Sequence, residues 1–284
     1  MSRLVVRAAL NDPGGAINED VVGHAGDAAW VIDGATGFGA RRHAPDLSDA
    51  RWYARALDAA LVRAAAEPEL PPAAMLERAI GEVAAAFLGF ASAEPPPAEV
   101  PAAAVALVRA SAAGLAYAVL GDCAVVLPAA GGVRLINDPV VGPFDRRFAE
   151  AIALLHREGI TEVARVQAEM APFINRLRRF MNRPGGFWVA ALEPLAARHA
   201  VNGVAPLAAG AEALLASDGF LRLIEPFAVH DAAGLLAAAA GAGFAPLVAT
   251  LRALERADPA GRRFPRLKIH DDASAVLLRL AAGP

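Results

Sequence analysis

Residues 104–137 read AVALVRASAAGLAYAVLGDCAVVLPAAGGVRLIN, and this stretch contains four short apolar runs separated by turn residues. The runs cover 104–109, 115–120, 124–127 and 133–137, each about as long as a β-strand. Their connections are only a few residues long, which is typical of antiparallel hairpins. The stretch therefore predicts antiparallel strands in the middle of the chain.

Further elements flank these strands on both sides. β-type runs are predicted at Leu4–Ala9 and Ala28–Ile32 before them, and at Ala213–Ala216 and Ala273–Leu280 after them. Helical patterns occupy 47–66, 73–90, 146–158 and 161–179, and two Ala-rich pieces follow near the C-terminus. Strands and helices do not alternate one by one, so this order predicts an α+β fold and not a doubly wound parallel sheet.

Size and charge limit the classes of protein. The chain has 284 residues, 56% of them apolar, which is enough to bury a large core, and we expect a single domain over residues 1–284. The 27 basic and 30 acidic residues give a net charge of −3, and no long basic run occurs. Nucleic acid is therefore not an expected partner.

The compartment is indicated by three features. Cys123 is the only cysteine, so no intramolecular disulfide can form, and the N-terminus has too short an apolar run for a signal peptide. The stretch Ala232–Leu251 is uncharged and about as long as a membrane span, but it is interrupted by Gly234, Gly241, Gly243 and Pro246. We expect a cytoplasmic protein with two Ala-rich helices packed on a sheet and no membrane contact.

Acidic residues stand at the ends of the predicted strands. They are Glu19, Asp20, Asp33, Asp122, Asp218, Asp271 and Asp272. A single Asp at such a position is usually a turn residue. Several carboxylates at one sheet edge repel one another unless cations neutralise them, and without clustered His or Cys the preferred ions are Mg²⁺ or Mn²⁺. Such ions can activate water and stabilise a phosphoryl group under attack.

Five motifs, in this order, resemble those of the type 2C (PPM-type) metal-dependent serine/threonine protein phosphatases. They are Asn18-Glu19-Asp20, Val31-Ile32-Asp33-Gly34, Gly121-Asp122, Ala216-Ser217-Asp218-Gly219 and Asp271-Asp272-Ala273-Ser274. Each is weak alone, but their ordered combination is specific, and the resemblance, to a divergent bacterial-like member, covers Leu4 to Leu280. It implies a β-sandwich of two antiparallel sheets with helices on both outer faces, and hydrolysis of phosphoserine or phosphothreonine in a phosphorylated protein substrate.

The resemblance also implies two or three bound Mn²⁺ or Mg²⁺ ions. Asp33 would bridge two of them and belong, with Asp218 and Asp271, to the catalytic set. Glu19 and the Gly34 carbonyl would serve one metal, and Asp218 and Asp271 the other.

The same resemblance implies supporting roles for two more acids, outside the main set of metal ligands. Asp122 would hold a third, weaker metal. Asp20 would orient bound water behind the ligands, with less weight than Glu19.

One position departs from the family pattern. Three residues before the Asn of Asn18-Glu19-Asp20 the family usually has an Arg that grips the substrate phosphate, and here the residue is Gly15. Its loss predicts a raised Michaelis constant with turnover retained. The basic residues considered as substitutes are Arg7, Arg41, Arg42 and Arg183.

The segment 138–200 lies where related enzymes carry a variable flap, and here its pattern is unusually helical. Its arginines admit two interpretations, an acidic or phosphorylated partner or a solvated helix face. They are Arg176, Arg178, Arg179 and Arg183.

A second class of function stays open beside the enzyme. The same scaffold can serve as a catalytically silent, metal-binding regulatory or interaction module. Gly15 favours that interpretation, whereas the complete set of carboxylates favours a hydrolase acting in dephosphorylation and signalling. The sequence does not indicate the physiological substrate or the oligomeric state.

Overall fold

The computed structural model describes residues 2–38, 41–91, 95–140 and 142–282. Its strands are β1 (Ser2–Asp12), β2 (Val21–Ala25), β3 (Ala28–Ala35), β4 (Ala102–Ser111), β5 (Gly114–Leu120), β6 (Ala124–Ala129), β7 (Gly132–Ile136), β8 (Val201–Ala205), β9 (Glu212–Ala216) and β10 (Ala273–Ala282). Its α-helices are α1 (Asp49–Ala65), α2 (Pro72–Leu88), α3 (Gly142–Arg157), α4 (Val163–Leu177), α5 (Asp218–Leu221), α6 (Ala232–Ala242) and α7 (Phe244–Ala257). Short 3₁₀ helices cover Arg178–Phe180 and Pro194–His199.

The strands form two five-stranded antiparallel sheets. The first has the order β1-β10-β9-β6-β7 and the second β2-β3-β4-β5-β8. The predicted antiparallel pairing of residues 104–137 is confirmed, but its two hairpins lie in different sheets, with β4–β5 in the second and β6–β7 in the first. The chain crosses between the sheets from β5 to β6.

Strand β3 shows how the layers are built. Its side chains alternate between two faces, so that Trp30 and Ile32 point to one side and Ala29 and Val31 to the other. The first pair packs against α1 and α2, and the second pair lies in the core between the two sheets. Both faces are therefore buried, which explains the nearly continuous apolar run.

Helices cover both outer faces of the sandwich. Leu57 of α1 and Ile80 of α2 pack on the second sheet, while Leu236 of α6 and Leu251 of α7 pack on the first. Apolar side chains at helical spacing bury one stripe of each helix. The α+β class and the α-β-β-α layering implied by the family resemblance are confirmed.

Two strands were not predicted. β2 and β8 are short and only partly buried, and each contains a glycine. In β2, a Cβ on Gly23 would lie 2.2 Å from the Trp30 indole nitrogen, which itself donates to Asp58 at 2.8 Å. The glycine that makes room for this indole also weakens the strand pattern in the sequence.

The uncharged stretch near the C-terminus forms α6 and α7, as expected. They are separated at Gly243, which has a φ of 76°, a left-handed value that favours glycine. In the ranges that the structure describes, no helix has the length and apolar character needed to cross a membrane.

Helices α3 and α4 form a separate apolar cluster through Ile152, Val166 and Met170. Side chains of α4 connect this cluster to other loops. Gln167 donates to the Leu267 carbonyl at 2.8 Å, and Asn175 donates to the Phe38 carbonyl at 2.8 Å. The helical character expected for 138–200 is present, apart from position 141, which lies outside the described residues.

Candidate active site

Strand pairing gathers the first three acids at one end of the second sheet. Val21, the first residue of β2, pairs with Ile32 near the end of β3. Asp20 immediately precedes that pair and Asp33 follows it, inside β3 and not beyond it as the sequence suggested. Asp122 follows β5, whose last residues lie at this end because β4 pairs with both β3 and β5.

The first sheet brings its acids to the same end of the sandwich. Ala216, at the end of β9, pairs with Ala275 of β10 and with Ala124 of β6. Asp218 lies two residues beyond Ala216, and Asp271 precedes the start of β10. Antiparallel register thus collects carboxylates from across the chain into one cleft.

Asp33 and Asp218 form the centre of this cleft. Loss of hydration, followed by the charges of Asp20, Asp218 and Asp122, holds the pKa of Asp33 well above its ordinary value. Asp218 also has a raised pKa, from burial and then from Asp271, and it shares a hydrogen bond with Asp33. Two buried carboxyl groups in contact, each with a raised pKa, mark a position where a positive charge would be stabilised.

Asp20 lies behind this pair and is only 4% exposed. Burial, together with the charges of Asp272 and Asp218, raises its pKa to about 8, against the opposing effect of the Ser274 and Ser217 hydroxyls. Its Oδ2 has no hydrogen-bond partner among the residues that the structure describes. A buried oxygen without a partner is costly in a protein interior, and such oxygens commonly face water or an ion.

Glu19 is held at the rim by two loops. Its carboxylate accepts a hydrogen bond from Ser48, the residue that also caps α1 through the Arg51 backbone N–H at 3.1 Å. Its backbone N–H donates to Asp272 at 2.8 Å, and the other oxygen of Asp272 accepts from Gly14 N–H, also at 2.8 Å. Both Asp272 oxygens therefore hold backbone, which gives this residue a structural role.

The motif glycines allow close backbone contact around the acids. A Cβ on Gly34 would lie 2.7 Å from the Glu19 carbonyl oxygen, and one on Gly219 would lie 2.0 Å from the Asp272 carbonyl oxygen. Side chains at these positions would separate the loops that carry the carboxylates.

Asp271 is bound by two cationic side chains. Arg222 Nη2 lies 2.6 Å from its Oδ2, and Lys268 Nζ lies 2.9 Å from its Oδ1. These two charges outweigh the effect of burial, so the pKa of Asp271 is lowered, unlike that of Asp33 or Asp218. The family resemblance gave no role to either cation.

Arg222 belongs to a buried network centred on Glu255. The Glu255 side chain is fully buried and accepts from Arg222 at 2.8 Å and from Arg252 at 2.7 Å. Arg252 also contacts Asp12 at 2.8 Å, and His270 Nδ1 lies 2.7 Å from Glu255 Oε2. Glu255 on α7 therefore anchors the loop that carries Asp271.

In the described part of the chain, no three carboxylate, imidazole or thiol groups already form a set of metal ligands. The contacts above give the reason, since Asp33 and Asp218 bind each other and Asp271 binds two cations. The donor set nevertheless fits a divalent ion, because it is rich in carboxylate oxygen and includes the unpartnered Oδ2 of Asp20. Cys123 beside it is buried, with its thiol pKa raised by burial and by these carboxylates, which fits a structural cysteine.

No family model matches this sequence, and no curated protein matches it. Solved structures do match over nearly the whole chain. The catalytic domain of serine threonine protein phosphatase PstP in complex with 2 manganese ions has a TM-score of 0.56 at 18% identity, with 99% of this chain and 100% of that chain covered. The Mycobacterium tuberculosis serine/threonine phosphatase PstP/Ppp has a TM-score of 0.53 at 19% identity, covering 99% of each chain. The Staphylococcus aureus serine/threonine phosphatase Stp1 has a TM-score of 0.55 at 11% identity, covering 98% of this chain and 96% of that one.

The chain has the fold of the type 2C serine/threonine phosphatases. The resemblance drawn from the five motifs is thus confirmed at the level of fold. The acids of those motifs come to one end of this fold, while Lys268, Arg222 and Glu255 are additions that the motif pattern did not reveal. The signal for one of them was present in the sequence, because Lys268 is the only lysine of the chain.

A groove beside the acids runs along the rim of this type 2C fold. Its volume is about 520 Å³, and Gly15, Asp20, Arg51 and Arg55 are among its lining residues. The position where the family carries its phosphate-binding Arg is therefore on the wall of a groove that two α1 arginines also line. Arg51 itself is paired with Asp46.

Helix α4 and the 3₁₀ helix after it contact the loops that follow β3 and precede β4. Asn175 binds both backbone groups of Phe38, which lies in the loop that follows β3. Arg178 is 9% exposed and donates to the carbonyls of Pro97 and Val100. Its role is thus internal, and it forms neither a solvated face nor a partner contact.

Proposed function

We propose that this protein is a metal-dependent phosphatase that hydrolyses phosphoserine and phosphothreonine monoesters in proteins. The observation that carries the proposal is the cluster of the buried carboxyl groups Asp33, Asp218 and Asp20, whose pKa values are raised first by burial and then by the charges of neighbouring carboxylates. The fold shared with serine/threonine phosphatases supports the reaction class.

The residues proposed to hold Mn²⁺ or Mg²⁺ are Glu19, Asp33, the Gly34 carbonyl, Asp218 and Asp271, with Asp122 for a further ion. When bound, such ions lower the pKa of water and neutralise charge on a phosphoryl group. The protein itself positions the donors through strand register and the glycine contacts. Asp20, behind Asp33, is proposed to hold and orient water.

The groove beside Asp20 suits a protein substrate. The groove next to Asp20 is open and carries Arg51 and Arg55, so an acidic or phosphorylated segment of a polypeptide would meet complementary charge there. We further propose one domain over residues 1–284 with 138–200 as its flap, a cytoplasmic location, and no nucleic-acid or membrane partner. The contacts of Asn175 with Phe38 support the flap, because they join α4 to the loop that follows β3.

The test is hydrolysis of p-nitrophenyl phosphate and of a phosphothreonine peptide with Mn²⁺, with Mg²⁺ and with excess chelator. We expect metal-dependent release of phosphate that Asp33→Asn abolishes, because this change removes the central charge at almost constant volume. Thermal unfolding of the variant checks that the fold is retained. Full activity of Asp33→Asn, or activity that survives the chelator, would refute the assignment.

A catalytically silent regulatory module is the second candidate. It is favoured by Gly15 and by the two cations on Asp271, which neutralise part of the cluster. Under this alternative, calorimetry detects Mn²⁺ binding while neither phosphate ester is cleaved.

A further inference from the structure

The basic residues of this chain are distributed unevenly between two types. Among its 27 basic residues only Lys268 is a lysine, and the other 26 are arginines. This single lysine donates to Asp271 at 2.9 Å, at the edge of the carboxylate cluster. The one ammonium group from a lysine side chain is thus found at the proposed reaction site.

Lys268 is fixed at its base and accessible at its tip. The carbonyl of its neighbour Leu267 accepts from Gln167 of α4 at 2.8 Å, and Arg266 is tied to Asp258 at 2.9 Å. The Lys268 side chain nevertheless remains 49% exposed. An ammonium on a flexible stem, next to the cleft, can exchange one anionic partner for another.

The charges that act on Lys268 come from the whole cluster. Burial alone lowers its pKa, but Asp271 first and then Asp33 and Asp218 outweigh that effect and raise it. Lys268 in turn acts on the carboxylate of Glu19. The ammonium therefore lies within electrostatic reach of four proposed metal ligands, which is where the phosphate of a substrate would be bound.

The loop that carries the position left without its Arg packs on Asp271, the residue that Lys268 binds. A Cβ on Gly14 would be 2.2 Å from the Asp271 carbonyl carbon, so the loop carrying Gly15 packs directly on the residue that Lys268 binds. A Cβ on Gly15 would meet no atom of the described residues within 4 Å. The space that an Arg side chain would use is therefore open, and the loop that carries it touches the backbone of Asp271, the residue that Lys268 binds.

Two other basic residues considered for this role, Arg222 and Arg7, are engaged elsewhere. Arg222 is buried and uses both of its terminal nitrogens, one on Glu255 and one on Asp271. Arg7, considered from the sequence, donates to Glu212 at 2.7 Å, at the far end of β9 from Asp218. Neither can reach a phosphate in the cleft without breaking these contacts.

We propose that Lys268 is the residue that contacts the phosphate of the substrate, in place of the Arg missing at position 15. The inference rests on the proposed phosphatase function and adds a catalytic residue to it. Lys268 leaves Asp271 and donates to phosphate oxygens when substrate enters. Asp271 keeps its orientation meanwhile because Arg222 holds its second oxygen.

The kinetic test compares Lys268→Met and Lys268→Arg with the wild type. Loss of a charge-assisted hydrogen bond to phosphate should raise the KM for p-nitrophenyl phosphate about 10- to 100-fold and change kcat by less than about threefold. Lys268→Arg should recover most of the loss. Arg198→Met is the matched control, since it also removes a paired surface cation, one that contacts Glu77 away from the cleft. The assays are run at saturating Mn²⁺, and an unchanged KM in Lys268→Met would then overturn the proposal.

A second test does not require turnover. Because the chain has one lysine, reductive methylation followed by mass spectrometry reports on Lys268 alone, with the α-amino group as internal reference. With Mn²⁺ present, inorganic phosphate should slow methylation of Lys268 at least about fivefold and leave the reference unchanged. The result remains informative if no ester is hydrolysed, so failure of the phosphatase assignment can be told apart from failure of this inference. Equal methylation with and without phosphate would contradict the role given to Lys268.

Discussion

Asp20→Asn is predicted to make the metal-free protein more stable at neutral pH. Asp20 is 4% exposed, and its Oδ2 has no hydrogen-bond partner in the described ranges. The substitution replaces a buried acid by a neutral side chain of nearly equal size. It therefore tests whether the folded chain without cations has to keep this buried carboxyl group protonated.

The magnitude follows from proton linkage. The ordinary pKa is 3.8 and that of Asp20 in the folded chain is about 8, so between these values the folded chain keeps a proton that the unfolded chain has released. The free energy of unfolding then falls as pH rises, by about 1.4 kcal/mol per pH unit. Between pH 5 and pH 8 the wild type should lose about 4 kcal/mol through this one group. The charge of Asp20 also contributes to the raised pKa of Asp33. That second raised pKa likewise makes the free energy of unfolding fall as the pH rises.

The assay is urea unfolding at pH 5, 6, 7 and 8 with chelator present, followed by tryptophan fluorescence. Asp20→Asn should lose about 4 kcal/mol less than the wild type across this range. Saturating Mn²⁺ should also flatten the wild-type profile, because an ion favours the charged carboxylates.

Asp231→Asn is the control for this experiment. Asp231 caps α6 through the Gly234 N–H at 2.7 Å, on the surface, and Asn caps helices about equally well. It should retain the wild-type pH profile. Parallel profiles for the wild type and Asp20→Asn would refute the reasoning, because they would show that Asp20 is ionised in the folded chain throughout.

Three further predictions concern the surroundings of the cluster. Glu255→Gln should lower the free energy of unfolding by about 3 kcal/mol in urea unfolding, since it breaks a fully buried ion network. The control is Glu77→Gln, which breaks an exposed ion pair with Arg198 and should change the free energy of unfolding very little. Ser48→Ala should cost about 1 kcal/mol in the same assay through loss of the α1 cap, and it should weaken Mn²⁺ binding by calorimetry because Glu19 loses a partner; unchanged values in both would contradict the contact. Gly15→Arg should lower the KM for phosphate esters more than it changes kcat, and an equal or higher KM would show that the open space at position 15 does not face the substrate.

The cleft combines two kinds of charge balance. Asp33 and Asp218 are in hydrogen-bonding contact and both have raised pKa values, whereas Asp271 is neutralised by Arg222 and Lys268. Metal binding would therefore release a proton from the first pair, and at Asp271 the metal would compete with the side chains of Arg222 and Lys268. Proton release on metal binding, measured in buffers of different ionisation enthalpy, would report on the first of these.

Local pattern in the sequence determined the secondary structure and the positions of the acids. Short apolar runs bounded by turn residues located β3 and the hairpins of residues 104–137, and helical spacing located the paired Ala-rich helices, because these patterns depend on neighbours a few residues apart. The ordered acidic motifs also indicated one carboxylate site in one fold, and the structure has that fold. Strand β2 was not predicted, because Gly23 makes room for the Trp30 indole and interrupts the strand pattern of the sequence.

Only the tertiary structure decided how the carboxylates are balanced. Arg222 and Asp271 are 49 residues apart in sequence, and Arg252 and Asp12 are 240 apart, so no local periodicity connects them. Lys268 and Asp271 are close in sequence, but the role proposed for their contact depends on Gly14, Asp33 and Asp218, which the fold brings close from distant parts of the chain. Ion pairing depends on distance in space and on burial, and both are fixed only when the two sheets and the C-terminal helix pack together.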